Sequence, residues 1–188
     1  AYGDYPVALN VAIAGCGGMA GGHLRSYIKI KQTVPEKINI VAMCDPVVAN
    51  AEKFAAEVEE AFGKKPTVYA DIDEMLAKED LDAIDICAPH GYHHVNAIKC
   101  MEAGVNVMVE KPIGVTVKAT LAIMEVSERT GKIAATAEQI RRMPSRRASK
   151  WLMDKGMIGE MRMFFCQEAL WRDHGPEDRW HWRLDLAL

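Results

Sequence analysis

Four short runs of mainly apolar residues set the narrowest limit on how this chain folds: LNVAIA at Leu9–Ala14, INIVAMC at Ile38–Cys44, AIDICA at 83–88 and VNVMV at 105–109. Near-continuous hydrophobicity over so few residues suits strands covered on both faces, as in a parallel sheet. Stretches with helical spacing separate the runs, so strands and helices alternate. That order predicts an α/β fold, a doubly wound parallel sheet with right-handed crossovers.

The first run leads into Gly15-Cys16-Gly17-Gly18-Met19-Ala20, which fits G-x-G-x-x-G/A. Gly15 permits a tight turn, Gly17 lets the backbone approach a pyrophosphate, and Ala20 lets the next helix pack close to the strand. The phosphate would rest on unpaired amides where that helix begins, which makes Cys16, Gly18 and Met19 cofactor-binding candidates with the glycines. Glycine turns also arise for local reasons. Here a strand precedes, and Met19, His23, Leu24, Tyr27 and Ile28 follow with helical spacing. His23 reads as a packed helix residue rather than a ligand.

The second run ends on Asp45. An acid at this strand end accepts hydrogen bonds from both ribose hydroxyls of an adenosine and repels the 2'-phosphate of NADP. Positions 46–50 carry no arginine or lysine to receive that phosphate, so NAD is expected over NADP. The alternative is a helix-start signal made by Asp45 with Pro46. Helices are expected at 49–62, at 71–78 with an acidic start, and at 116–130 with Thr116 as its cap. Strands are expected at 67–70 and 132–137, and Gly104 is the expected terminator of the helix that follows Pro89.

The run at 105–109 releases Glu110, Lys111 and Pro112. Ligands of an open parallel sheet sit beyond the carboxyl ends of its strands, so a lysine there is aimed at a crevice. Lys111 is the catalytic candidate; a surface ion pair with Glu110 is the alternative. His90, His93 and His94 invite a metal reading, but no third and fourth ligand in a compatible pattern accompanies them, nor a helical pair four apart with glutamate between. Ala88 and Pro89 close the preceding strand and put His93 at a helix start, near a bound dinucleotide. The order is cofactor contact first, helix packing second, metal last.

With 188 residues, 49% of them apolar, the chain suffices for one full domain and part of a second. A net charge of -3 leaves no electrostatic footprint for nucleic acid or a membrane surface. No apolar run approaches the ~18 residues of a membrane span. Cys16, Cys44, Cys87, Cys100 and Cys166 lack a C-x-x-C pairing and read as small hydrophobes in a reducing compartment, so the cytoplasm is expected. A removed leader stays open, because the chain does not begin with methionine.

Taken together, LNVAIAGCGGMA, VAMCD, AIDICAPHGYHH, NAIKCMEAGVNVMVEKP and AEQIRRMP resemble the NAD(P)-dependent oxidoreductases of the glucose-fructose oxidoreductase and inositol dehydrogenase type, the Gfo/Idh/MocA family. The resemblance spans nearly all of 9–159. Pro89 to His93 as P-x-x-x-H, and E-K-P on the next strand, are its most specific parts. It implies a Rossmann domain over 1–137, then the start of an α/β open-sheet C-terminal domain over 138–188 that lines the active site and commonly mediates oligomerisation, as a dimer or tetramer. Gly15, Gly17 and Ala20 match the phosphate loop, Asp45 the ribose acid, His93 and Glu110 dinucleotide contacts. Lys111 matches the lysine that binds the reacting hydroxyl, Gln139 a polar residue near the nicotinamide and Arg141 a substrate-side arginine. The implied activity is hydride transfer between NAD and a secondary alcohol of a sugar, cyclitol or related polyol. An NAD-dependent glycosidase using transient oxidation and a non-catalytic dinucleotide-sensing regulator are the alternatives; the intact Lys111 argues against the regulator.

The basic group Arg141, Arg142, Arg146, Arg147 and Lys150 reads as a solvated helix face, given the acidic total. Partial alternation at 160–170 is expected to begin a second, half-exposed sheet. The tail resembles the family's tryptophan-arginine stretch, with Trp182 and Arg183 as substrate candidates; a core at the domain junction is the other reading of its tryptophans. The family's aspartate and general-base histidine, four residues apart, lie just beyond this point, so the sequence is expected to be part of a longer protein. Asp173 and His174 are adjacent and do not match that pair.

Overall fold

Strands β1 (Leu9–Ala14), β2 (Ile38–Cys44), β3 (Thr67–Tyr69), β4 (Ala83–Ile86), β5 (Asn106–Val109) and β6 (Ala134–Thr136) form one sheet ordered β3-β2-β1-β4-β5-β6. All pairings are parallel. The structure is a computed structural model describing residues 8–167 and 169. This strand order is that of two mononucleotide-binding halves joined back to back, with the reversal between β1 and β4.

Helices α1 (Gly18–Thr33), α2 (Val48–Phe62), α3 (Ile72–Lys78), α4 (His93–Glu102) and α5 (Val117–Thr130) connect the strands. Alternate residues of each strand serve opposite faces. Val11, Ile13 and Met43 pack with Ala20 and Leu24 of α1 and with Phe54 and Val58 of α2. Ala12, Ala14, Ile84, Ile86, Val107 and Val109 pack with Met75, Ala97, Met101 and Ile123 on the other side. Full burial of such a side chain contributes roughly 1.5–3 kcal/mol, which is why the runs are apolar on both faces.

The helix ends follow the local chemistry. Asp71 and Thr116 each accept an amide hydrogen bond, from Glu74 and Ala119, and so cap α3 and α5. Gly104, at φ +86°, ends the turn after α4, the left-handed position that glycine occupies without strain. The strand expected at 83–88 closes at Ile86, and His90–Tyr92 form a 3-10 turn before α4. Helix α1 runs on to Thr33, past the expected pattern, and takes up most of the long connection to β2.

The contacts divide the chain after Ala137. In the second unit α6 (Pro144–Asp154) begins on a proline, which tolerates the first turn because its missing N–H has no acceptor there. Arg146, Arg147 and Lys150 are exposed on α6, and Lys150 pairs with Asp154 one turn on. The strand expected at 160–170 is not formed over 160–167, which are exposed. Its alternating pattern has no partner strand beside it among the described residues, and a ladder needs one.

No helix among the described residues is long and apolar enough to cross a membrane. Ile84, wholly buried in the central strand β4, is the sensitive point of the packing. Ile84→Ala should lower the unfolding free energy by about 2–5 kcal/mol, read from denaturant midpoints; a loss below about 1 kcal/mol would contradict the described core.

Candidate active site

The crevice is built at the carboxyl ends of β1, β2, β4 and β5. After β1 the chain turns at Gly15, whose φ of +88° is left-handed. A Cβ there would stand 2.7 Å from the Ala88 nitrogen and from the Cys87 carbonyl carbon. The turn therefore presses on the backbone beyond β4, and only glycine fits. At Gly17 and Gly18 an added Cβ would meet nothing within 4 Å. These positions face open space where α1 starts, and the amides of a first helical turn have no intrahelical acceptor. That is the cradle a pyrophosphate requires. Met19 is exposed beside it, while fully buried Ala20 brings α1 onto the sheet. Cys16 turns inward: burial, then Asp45 and Cys44, push its thiol up to about 12. What it offers the loop is its backbone.

Asp45 is buried at the end of β2. Its Oδ2 accepts the Cys16 amide at 2.8 Å, and its Oδ1 accepts the Val47 amide at 2.8 Å and Asn50 Nδ2 at 3.4 Å. One side chain thus starts α2 and tethers the glycine turn. A carboxylate offers about four acceptor sites, so about one remains for a ribose hydroxyl.

A string of charges runs beside the turn. Asp85 lies level with Ile13 and Met108, so strand alternation puts it on the α1 face of the sheet, and Glu110, two beyond Met108, on the same face. His23 and Tyr27, four apart on α1, meet them there. His23 Nδ1 donates to Asp85 Oδ2 at 2.7 Å and Nε2 to Glu110 Oε1 at 3.1 Å. The Tyr27 hydroxyl donates to Asp85 Oδ2 at 3.0 Å. Lys111 donates to Glu110 Oε2 from its amide at 3.1 Å and from Nζ at 3.2 Å. Asp85 and Glu110 are both buried, whereas the Lys111 side chain is 38% exposed. The hydrogen bond to Asp85, ahead of its charge and the Glu110 contacts, raises the His23 pKa above 6.5 against a smaller opposing effect of burial. Burial pushes the Cys87 and Tyr27 protons on more firmly.

The Lys111–Glu110 pair expected as the alternative is therefore real, but one partner is sealed from water and the other is partly exposed. His23 is more than a packed helix residue; it bridges two acids. The signal in the sequence was Asp85, a carboxylate between Ile84 and Ile86 in an otherwise apolar strand.

His93 is 1% exposed, with Nδ1 2.7 Å from the Pro112 carbonyl and Nε2 2.7 Å from the Ala88 carbonyl. The ring lies between two backbone segments, and so braces those that follow β4 and β5. Ala88 and Pro89 are half-buried at that brace. His23 Nδ1, an Asp85 oxygen and Cys87 Sγ lie within 4.8 Å of one another, the spacing of a cation site. The 2.7 Å bond within the group and the firmly held thiol proton make it a hydrogen-bonded cluster. Gln139 precedes a 3-10 turn, Ile140–Arg142, that contains Arg141; both are exposed in the second unit. Trp182 and Arg183 lie outside the described residues.

A parallel doubly wound sheet with a glycine turn, an acid and a lysine at its carboxyl edge defines a dinucleotide-binding α/β protein. Residues 9–138 match the model of the oxidoreductase family with an NAD-binding Rossmann fold, and the chain belongs to this family, Gfo/Idh/MocA. It is 30% identical over 153 residues to 4-carboxy-2-hydroxymuconate-6-semialdehyde dehydrogenase of Sphingobium sp., covering 81% of this chain and 44% of that protein. It is 28% identical over 158 residues to inositol 2-dehydrogenase 2 of Saccharopolyspora erythraea, covering 84% of this chain and 44% of the relative. A crystal structure of scyllo-inositol dehydrogenase from Lactobacillus casei, with bound NAD(H) and scyllo-inositol, superposes with a TM-score of 0.72 at 25% identity, covering 81% of this chain and 43% of that one. The chain thus spans under half the length of these relatives.

Two outcomes follow from this geometry. Gly15→Ala should weaken NAD binding at least about tenfold, because a Cβ cannot enter at 2.7 Å without moving the turn; titration calorimetry showing unchanged affinity would refute the described turn. The His23 bridge should also leave a pH signature, since a raised folded pKa contributes stability that is complete below about 6.5 and lost as pH rises through the folded value. Unfolding free energies measured across that window should fall in the wild type and flatten in His23→Leu.

Proposed function

We propose that this chain carries the dinucleotide-binding part of an oxidoreductase that moves a hydride between NAD(H) and a secondary alcohol of a sugar, cyclitol or related polyol. The observation that carries the reading is Lys111: an ammonium anchored on the buried carboxylate of Glu110 just past the carboxyl end of β5, with its side chain 38% exposed. Bound NAD would supply the hydride acceptor. The amides at Gly17, Gly18 and Met19 hold its pyrophosphate, and Asp45 holds the ribose and weighs against a 2'-phosphate, hence NAD over NADP. Glu110 serves the cofactor side indirectly, by fixing Lys111. The Lys111 ammonium donates to the hydroxyl oxygen and stabilises negative charge there as the C–O bond becomes a carbonyl. The base that removes the hydroxyl proton belongs beyond residue 188.

The inositol dehydrogenases among the relatives support the substrate class. Gln139 toward the cofactor, and Arg141, Trp182 and Arg183 toward the polyol, belong to this proposal by resemblance. A homo-oligomer belongs to it too, by the same resemblance. In the full-length protein, Lys111→Ala should lower kcat for NADH formation from the inositol or sugar that the wild type oxidises by about 10²–10³-fold. Its NAD affinity should shift by less than about threefold. A fully active variant would sink the assigned role, and aryl glycoside cleavage without added NAD would mark the glycosidase instead.

A further inference from the structure

We propose that His23 is a positioning residue for Lys111, acting through Glu110, so that the lysine is held correctly only while the imidazole carries both its protons. The proposal rests on the catalytic reading of Lys111. Glu110 spends one oxygen on each side: Oε1 takes His23 Nε2 at 3.1 Å, and Oε2 takes the Lys111 amide at 3.1 Å and Nζ at 3.2 Å. Turning this carboxylate to offer Lys111 another grip would break the bond to His23, so the ring sets the plane in which Nζ is held. The ring is itself pinned, since Nδ1 donates to Asp85 Oδ2 at 2.7 Å, an oxygen that also takes the Tyr27 hydroxyl at 3.0 Å.

The titratable groups facing His23 are Asp85 and Cys87 from β4 and the residue after it, Glu110 from the end of β5 and Tyr27 from α1. Cys87 Sγ is 3.6 Å from His23 Nδ1 and 3.7 Å from Asp85 Oδ1, and Lys111 stands behind Glu110. Two carboxylate acceptors require two N–H donors, so the bridge is complete only as imidazolium. The raised pKa of His23 accords with that. On losing a proton the ring serves one acid only. The 2.7 Å bond to Asp85 persists, the 3.1 Å bond to Glu110 gives way, and Glu110 is free to turn with Lys111 attached.

The test uses the full-length protein and two readouts. The first needs no turnover: the His23 ring is titrated by carbon–proton NMR of ring-labelled histidine. Its midpoint should lie above about 6.5, rise further in Lys111→Ala, which removes a cation from the far side of Glu110, and fall in Glu110→Gln. A midpoint indifferent to both substitutions overturns the coupling, and no His23 variant has to fold for this result. The second compares His23→Gln with the wild type in NADH formation. Loss of one charge-assisted bond should lower kcat about tenfold while the NAD KM stays within about twofold, and the fall of wild-type kcat above the His23 midpoint should vanish. Wild-type kcat and pH profile in His23→Gln would overturn the positioning role. Coupled NMR midpoints in a protein that oxidises no alcohol would support the charge string and overturn the dehydrogenase reading alone.

Discussion

Withdrawing a carboxylate from water costs several kcal/mol unless donors and cations answer it, and Glu110, 4% exposed, is answered by one histidine and one lysine. Much of the sheet's carboxyl edge is arranged by that demand. The histidine comes from α1, so α1 must lie across the ends of β4 and β5. Ala20 and Leu24, wholly buried on the same helix, provide the apolar contact that keeps it there. Because α1 begins at Gly18, seating His23 also seats the glycine turn. Asp85 makes a second buried demand on the same ring. One imidazole and one ammonium therefore answer two acids along the string Asp85, His23, Glu110, Lys111.

The phosphate side of the crevice is organised differently. Asp45 is also buried, yet its partners are the amides of Cys16 and Val47 and the side chain of Asn50. Backbone donors compensate a carboxylate without adding a formal charge, so the acid keeps its negative potential where a ribose would lie. On the Lys111 side the compensation comes instead from an ammonium and an imidazole, so that end presents a cationic group beside its acid.

The sheet was legible because its strands are buried on both faces and their apolar runs are separated by helical spacing. The cap at Thr116, the acidic helix start at Asp71 and the turns at Gly15 and Gly104 were legible from residue chemistry alone. Lys111 and Glu110 could be placed at a strand end, but the burial that distinguishes a surface ion pair from an anchored cation depends on what packs over Glu110. His23, Asp85 and Tyr27 come together only through the register of β4 with β1 and β5 and the rotation of α1 about its axis, neither of which adjacent residues encode. His93 sits at the start of α4, as its position after Pro89 suggests, but its ring turns to the carbonyls of Ala88 and Pro112, an orientation set by two loops distant in sequence. The alternation at 160–170 forms no strand over the described residues 160–167, because a period of two specifies a strand only where a neighbour completes the ladder.

Exposure and anchoring of the lysine pull in opposite directions. A fully solvated ammonium at a strand end samples many rotamers, and ordering it costs up to ~2 kcal/mol of side-chain entropy; one locked into a buried pair would have nothing to offer a ligand. Lys111 avoids both extremes. Its amide and its Nζ share a single Glu110 oxygen, the other oxygen being committed to His23. Of the three donors on Nζ, one goes to Glu110, which among the described residues leaves two for a ligand oxygen. The buried acid behind the lysine thus does the ordering in advance, and the partial exposure of the side chain keeps the charge available to a ligand.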